Sequence, residues 1–254
     1  MSLASRLRAG ETVYSAWCNL PYPLVMETLC RTDFTTFMLD MQHGAFDTQS
    51  VLQSVGIIQN AGKHTVVRIP VDRFDMASRA LDFGAEGVIA PMINSVEDAK
   101  RFAASMKYPP VGERSWGQLR GRPAGYGAGG SGAYLSEVNG KTLAFAMIET
   151  RAAFAALDGI LAVDGIDGVF VGPSDFSIGW SNGAEVDAGS QAIIEPLKEI
   201  AAKALAAGKL CGIYAANAEL AKRFTSLGYT YVPLAVDTGY LQSGVKSLLD
   251  AVGQ

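Results

Sequence analysis

Short apolar segments recur along the chain, roughly every 20 to 30 residues: 12–19, 36–43, 65–70, 87–93, 143–150, 168–174, 210–215 and 229–237. Each is rich in Val, Ile, Phe, Tyr or Met and largely continuous rather than alternating. That is the pattern of strands buried on both faces. The intervening stretches carry helical spacing. Over 47–61, Asp47 stands at a cap position, and Val51, Val55 and Ile58 fall on one face. Asn94 and Ser95 precede a second helix over 96–105, and a third over 191–206 ends at Gly208. Eight strands alternating with helices predict a (β/α)8 TIM barrel, one α/β domain over 1–254. An open doubly wound sheet is the rival arrangement. One stretch breaks the rhythm: 107–139 is rich in glycine, carries Arg114, Arg120 and Arg122, and reads as a long loop.

Composition narrows the field. A chain of 254 residues allows one domain or two, and barrels commonly use about 250 residues for one. With 49% hydrophobic and 18% charged residues, a disordered or fibrous chain is excluded. A net charge of -4 argues against nucleic acid and against an anionic membrane surface as partners. Cys18, Cys30 and Cys211 lie far apart with no CxxC spacing, so no disulfide framework is expected. No apolar run approaches the roughly 18 residues of a membrane span, and the opening MSLASRLRAGE has no hydrophobic targeting core. The expectation is a soluble cytoplasmic protein.

In a TIM barrel the reactive side chains gather at the carboxyl ends of the strands. There the sequence places Asp40-Met-Gln-His43, then Arg68, then Glu149-Thr150, then Gly172-Pro-Ser-Asp175. Taken singly, each could serve structure alone, as a cap or in an ion pair. Together they put His43, Arg68 and the two carboxylates of Glu149 and Asp175 at one mouth. Facing carboxylates repel unless a cation lies between them, and an oxygen-only donor set suits Mg2+ or Mn2+. A neutral histidine can act as general base, and an arginine can hold a carboxylate or a developing oxyanion. That combination suits proton transfer beside a carbonyl. Covalent imine chemistry is not expected, because Lys63, Lys141 and Lys209 precede strands, at the far end, and the other lysines fall on helices or loops. The stretch 127–132 fits GxGxxG by letter but follows no strand, and the ends of strands 7 and 8 show no glycine-rich phosphate cradle. His64, before strand 3, reads as structural.

The runs MLDMQHG (38–44), VVRIP (66–70), GVIAPMI (87–93), YPPVGER (108–114), MIETR (147–151) and GVFVGPSDFS (168–177) resemble the HpcH/HpaI aldolase family in order and content. The resemblance implies a class II, metal-dependent pyruvate aldolase that cleaves a 4-hydroxy-2-oxo acid to pyruvate, or a close analogue, and an aldehyde. It implies His43 as catalytic base, Arg68 as the arginine that binds pyruvate, and Glu149 and Asp175 as ligands to Mg2+, Mn2+ or Co2+. Ser174 matches a substrate-contacting position. Asp82 matches an acid that raises the basicity of the histidine, although its place before strand 4 would let it reach His43 only from another subunit. A homo-oligomer, trimer or hexamer, with the last helix packed on a neighbour is implied too. Met147 departs from the pattern, standing where many members carry a substrate-contacting Gln. The stretch 115–122 is a candidate for shaping the acceptor pocket. Two alternatives remain: a citrate-lyase β-like enzyme acting on a CoA thioester, and a non-catalytic keto-acid-binding barrel.

Overall fold

The computed structural model describes residues 1–117, 119 and 130–253. Arg120, Arg122 and the first part of the GxGxxG-like stretch lie outside these residues. The strands are β1 (Val13–Cys18), β2 (Thr36–Asp40), β3 (His64–Arg68), β4 (Gly87–Ala90), β5 (Leu143–Ile148), β6 (Gly168–Val171), β7 (Leu210–Ile213) and β8 (Tyr231–Val236). All neighbouring pairs are parallel, and β1 closes on β8. The doubly wound rival is excluded.

The helices before the long connection are α1 (Leu3–Arg8), α2 (Pro23–Leu29), α3 (Thr48–Asn60), α4 (Phe74–Asp82) and α5 (Val96–Met106). After it come α6 (Ser131–Lys141), α7 (Arg151–Ala155), α8 (Leu157–Leu161), α9 (Pro173–Trp180), α10 (Gln191–Ala206), α11 (Ala218–Ser226) and α12 (Asp237–Ala251). The start of α3 is fixed as expected: the Asp47 side chain accepts from the Ser50 N–H, and the Ser50 side chain accepts from the Asp47 N–H. The expectation of an unstructured 107–139 is corrected by α6. Its sequence carries two glycines, Gly132 and Gly140, which weakens helical propensity, and packing supplies what propensity lacks. Tyr134 and Val138 bury one face of α6 beside Tyr108.

Strand parity decides which side chains face the barrel interior. Met38, Val66, Phe145, Met147, Phe170 and Tyr231 fill the inside, while Phe37, Leu39, Val67, Ala144, Ala146, Val169 and Val171 pack outward on the helices. The same alternation carries inward Asp40, two residues after Met38; Arg68, two after Val66; and Glu149, two after Met147. The amino-terminal end of the barrel is closed by α1, whose Leu3, Ala4 and Leu7 join the interior cluster. Beneath it Glu86 Oε2 accepts the Leu3 N–H at 2.9 Å, and Glu86 Oε1 lies 2.6 Å from His64 Nδ1. His64 is structural, as expected.

The same end also hides Lys107. Its ammonium donates to Asp167 at 2.6 Å and to the carbonyls of Asn139 and Thr142, with burial lowering its pKa against the pull of Asp167. This lysine braces the long connection, far from the mouth. Among the described residues, no helix is long and apolar enough to cross a membrane.

Candidate active site

At the carboxyl ends of the strands lies a cavity of about 240 Å3, lined by Trp17, Asn19, Asp40, His43, Arg68, Met147, Gly172 to Asp175, Tyr214 and Val236. Of the residues expected from sequence, His43, Arg68, Met147, Ser174 and Asp175 line it. Glu149 stands directly behind Gly172: a Cβ at that glycine would lie 2.6 Å from Glu149 Oε1 and 2.7 Å from Met147 Cε. A side chain there would force the Glu149 carboxylate and the Met147 methyl to move.

Arg68 is fixed on two sides. Its Nε and Nη2 donate to Asp40 Oδ1 and Oδ2 at 2.9 and 2.6 Å, and its guanidinium lies 4.5 Å from the centre of the Trp17 ring. Trp17 Nε1 donates to Asp40 as well, at 3.3 Å. Asp40 Oδ1 also accepts the N–H groups of Gln42 and His43, at 3.0 and 3.4 Å. One carboxylate therefore orients the arginine and the turn that presents the histidine. Burial would raise the Asp40 carboxyl, but the bonds from Arg68 and the backbone outweigh it and hold the group below its usual range. The segment 36–43, expected as a single strand, is strand only to Asp40: the Met41 N–H still donates to the Arg68 carbonyl at 2.9 Å, and the Asp40 carboxylate then takes the Gln42 and His43 N–H groups.

Asp40 and Trp17 line the cavity and hold Arg68, and the sequence alone assigns neither a role. Asp40 is visible there as the first polar residue of the run ending in His43. Its parity with Met38 is the signal that aims it inward. Trp17 has no equivalent signal, because an aromatic residue in a buried strand reads as core.

Glu149 is the perturbed acid of the mouth. Its pKa is pushed up to about 7, first by burial and then by the like charge of Asp175, against the Met92 N–H bond and the charge of Arg68. The Met92 N–H donates to Glu149 Oε2 at 2.9 Å from a residue held at φ 55°. Backbone strain of this kind persists where a functional group needs its donor in one place. Asp175 sits in the first turn of α9, which Gly172 and Pro173 begin. Among the described residues, no group of three or more His, Cys, Asp or Glu is disposed to hold a metal ion. The pair Glu149 and Asp175 could supply two oxygen ligands to a cation such as Mg2+, which takes one or two carboxylates and keeps waters and substrate oxygens as its other ligands.

Asp82 is not part of this cavity. It ends α4 at the opposite end of the barrel, where the Arg114 guanidinium donates to its Oδ1 at 2.6 Å. No lysine lines the cavity among the described residues. The segment 115–122 is only partly described and shows no contact with the cavity among its described residues.

An arginine clamp, a histidine and an acid pair thus meet at the top of a (β/α)8 barrel, a set of groups that suits carbon–carbon bond cleavage beside a carbonyl. Comparison with known proteins agrees. The model of the HpcH/HpaI aldolase/citrate lyase family matches residues 14–243. A hydroxypyruvate/pyruvate aldolase of Rhizorhabdus wittichii is 34% identical over 94% of each chain. A 4-hydroxy-2-oxo-heptane-1,7-dioate aldolase of Salmonella arizonae is 33% identical over 97% of this chain and 92% of its own. The crystal structure of an HpcH/HpaI aldolase from Desulfitobacterium hafniense superposes with a TM-score of 0.88 at 26% identity, over 100% of this chain and 97% of that one. This chain belongs to the HpcH/HpaI aldolase/citrate lyase family, and it is a carbon–carbon lyase of the aldolase type.

Proposed function

We propose that the enzyme reversibly cleaves a 4-hydroxy-2-oxo acid into pyruvate, or a close analogue such as hydroxypyruvate, and an aldehyde. The observation that carries this reading is the immobilised Arg68 guanidinium in the same small cavity as His43 and Asp175, with Glu149 at its wall. Arg68 binds the oxo-acid end. His43 accepts the proton of the C4 hydroxyl as the C3–C4 bond breaks, and the bonding pair moves into C3 and the C2 carbonyl. The enolate so formed is stabilised by Arg68 until C3 takes up a proton, and the aldehyde leaves. Ser174 contacts the substrate through its backbone at the turn that carries Asp175. Met147 occupies the wall beside Glu149 and offers no hydrogen-bond donor there, so it bears on which oxo acid is accepted.

A divalent cation fits the site. Two carboxylates in mutual repulsion, one of them raised to about 7, are relieved by a positive charge between them. Their oxygens suit Mg2+ or Mn2+, with Co2+ as a substitute. Such an ion, when bound by Glu149 and Asp175, supplies Lewis-acid stabilisation of the charge that develops on the 2-oxo oxygen. The names of the relatives favour this reading over citrate-lyase-like chemistry on a CoA thioester.

The functional unit is a homo-oligomer, trimer or hexamer, in which Asp82 of one subunit supports His43 of the next. An exposed apolar stripe along α12, formed by Leu241, Val245, Leu248 and Val252, supports that assembly. The overall reading is tested by offering a panel of 4-hydroxy-2-oxo acids and following pyruvate release with a coupled dehydrogenase. At least one substrate is expected to turn over, with activity lost in EDTA and regained on adding Mg2+ or Mn2+. No turnover across the panel would favour the non-catalytic barrel.

A further inference from the structure

Asn19 lies in the wall of the cavity and has no part in the chemistry above. Its backbone is pinned at both ends. Asp237, buried at the start of α12, accepts the N–H groups of Asn19 and Leu20 on Oδ2 at 2.9 and 2.8 Å, and the Ala45 N–H donates to the Asn19 carbonyl at 2.9 Å. The side chain is held by nothing comparable. Asn19 Oδ1 is buried with no hydrogen-bond partner, and among the described residues none bonds the carboxamide at all. It packs against Gly44, where a Cβ would lie 3.1 Å from Oδ1. A buried amide acceptor left unmade is costly, and a chain that only needed to fill this space would do better with an apolar residue. Asn19 thus stands with its backbone fixed and its Oδ1 unsatisfied beside the turn that carries His43.

That location decides which part of the substrate it meets. Arg68, Glu149 and Asp175 engage the oxo-acid end, and His43 takes the proton of the C4 hydroxyl. Whatever lies beyond His43, towards Asn19 and Val236, faces the carbon attached to C4. We infer that Asn19 is a specificity-determining residue that hydrogen-bonds a hydroxyl on that carbon, so that the preferred aldehyde is a 2-hydroxyaldehyde. A hydroxyl both donates and accepts, so it pairs with whichever end of the carboxamide faces the cavity. The inference rests on the aldolase reading and deepens it.

The test runs the enzyme with Mg2+ in the synthesis direction, with pyruvate and a matched pair of aldehydes, glycolaldehyde and acetaldehyde. The quantity read is the ratio of their kcat/KM values, in the wild type, in Asn19→Ala and in Asn19→Leu. Taking the ratio between enzymes cancels the intrinsic reactivity of the aldehydes. One lost hydrogen bond corresponds to a factor of up to about ten, and the ratio should fall by about that factor in both variants. Leu keeps the volume of Asn, which separates hydrogen bonding from cavity size. Removing an unpartnered amide breaks no internal bond, so the thermal midpoint should not fall. A ratio that stays within about twofold of wild type in either folded variant, with both aldehydes slowed alike, would overturn the inference. A wild-type enzyme inert towards both aldehydes and towards the whole substrate panel would instead overturn the aldolase reading itself.

Discussion

Arg68 is held in place before any substrate arrives, and the ion pair that holds it is nearly as buried as the hydrophobic core. Removing the arginine therefore has two consequences. The developing oxyanion loses a donor, typically about 100- to 1000-fold in rate. Asp40 also loses its partner, and breaking a buried pair from one side costs about 3 to 5 kcal/mol. Arg68→Ala should lower both turnover and the thermal midpoint. Adding Asp40→Asn should restore much of the midpoint, since the stranded charge is gone, without restoring turnover. Melting curves and steady-state rates on the single and double variants separate the two effects, and near-wild-type turnover in Arg68→Ala would contradict the role given to it.

The same local logic governs how much of the site is legible in the sequence. His43, Arg68, Glu149 and Asp175 stand out because each is polar and follows an apolar strand, at the end where a barrel opens. Trp17 and Asn19 do not. An aromatic residue inside a strand looks like core, and an asparagine after a strand looks like a turn.

The eight strands are legible as largely continuous apolar runs, and α3 and α5 by the side-chain caps that open them. Two elements are the least legible. The propensity of α6 is weak, and burial of Tyr134 and Val138 decides its fold. At the other end of the chain, α1 is only six residues long, below the length at which a helix stands alone in water. It exists because Leu3 and Leu7 close the floor of the barrel. Leu7→Ala should cost about 2 to 5 kcal/mol, the usual range for a buried leucine, measured by urea denaturation. The kcat of the folded fraction should hold, because the substitution sits at the end opposite the mouth. An unchanged stability would mean that α1 merely rests on the barrel.

Two features of the whole molecule bear on function. The first is α12, whose residues 241, 245 and 248, with 252 just beyond its end, follow the spacing of a single apolar helix face and are all more than half exposed. Leu248→Asp should lower the mass seen by size-exclusion chromatography with light scattering from a trimer or hexamer to a monomer. Activity should fall with it, because Asp82 could no longer reach a neighbouring His43. A wild-type protein that is already monomeric and fully active would remove both the assembly and that role for Asp82. The second feature is the convergence of several strands on one cavity, which gives the enzyme a single place to make and hold a pyruvate enolate.

Enolate formation is measurable without any aldehyde. In D2O with Mg2+, pyruvate should exchange its methyl protons for deuterium in the presence of the enzyme, followed by loss of the methyl signal in proton NMR. The exchange should stop in EDTA and in Glu149→Gln. At limiting Mg2+ it should slow as the pH falls through about 7, where metal-free Glu149 takes up a proton in competition with the cation, and more Mg2+ should move that fall to lower pH. Exchange that persists unchanged in EDTA or in Glu149→Gln, or a fully loaded wild-type enzyme that exchanges nothing, would contradict the proposal that this mouth stabilises a pyruvate enolate.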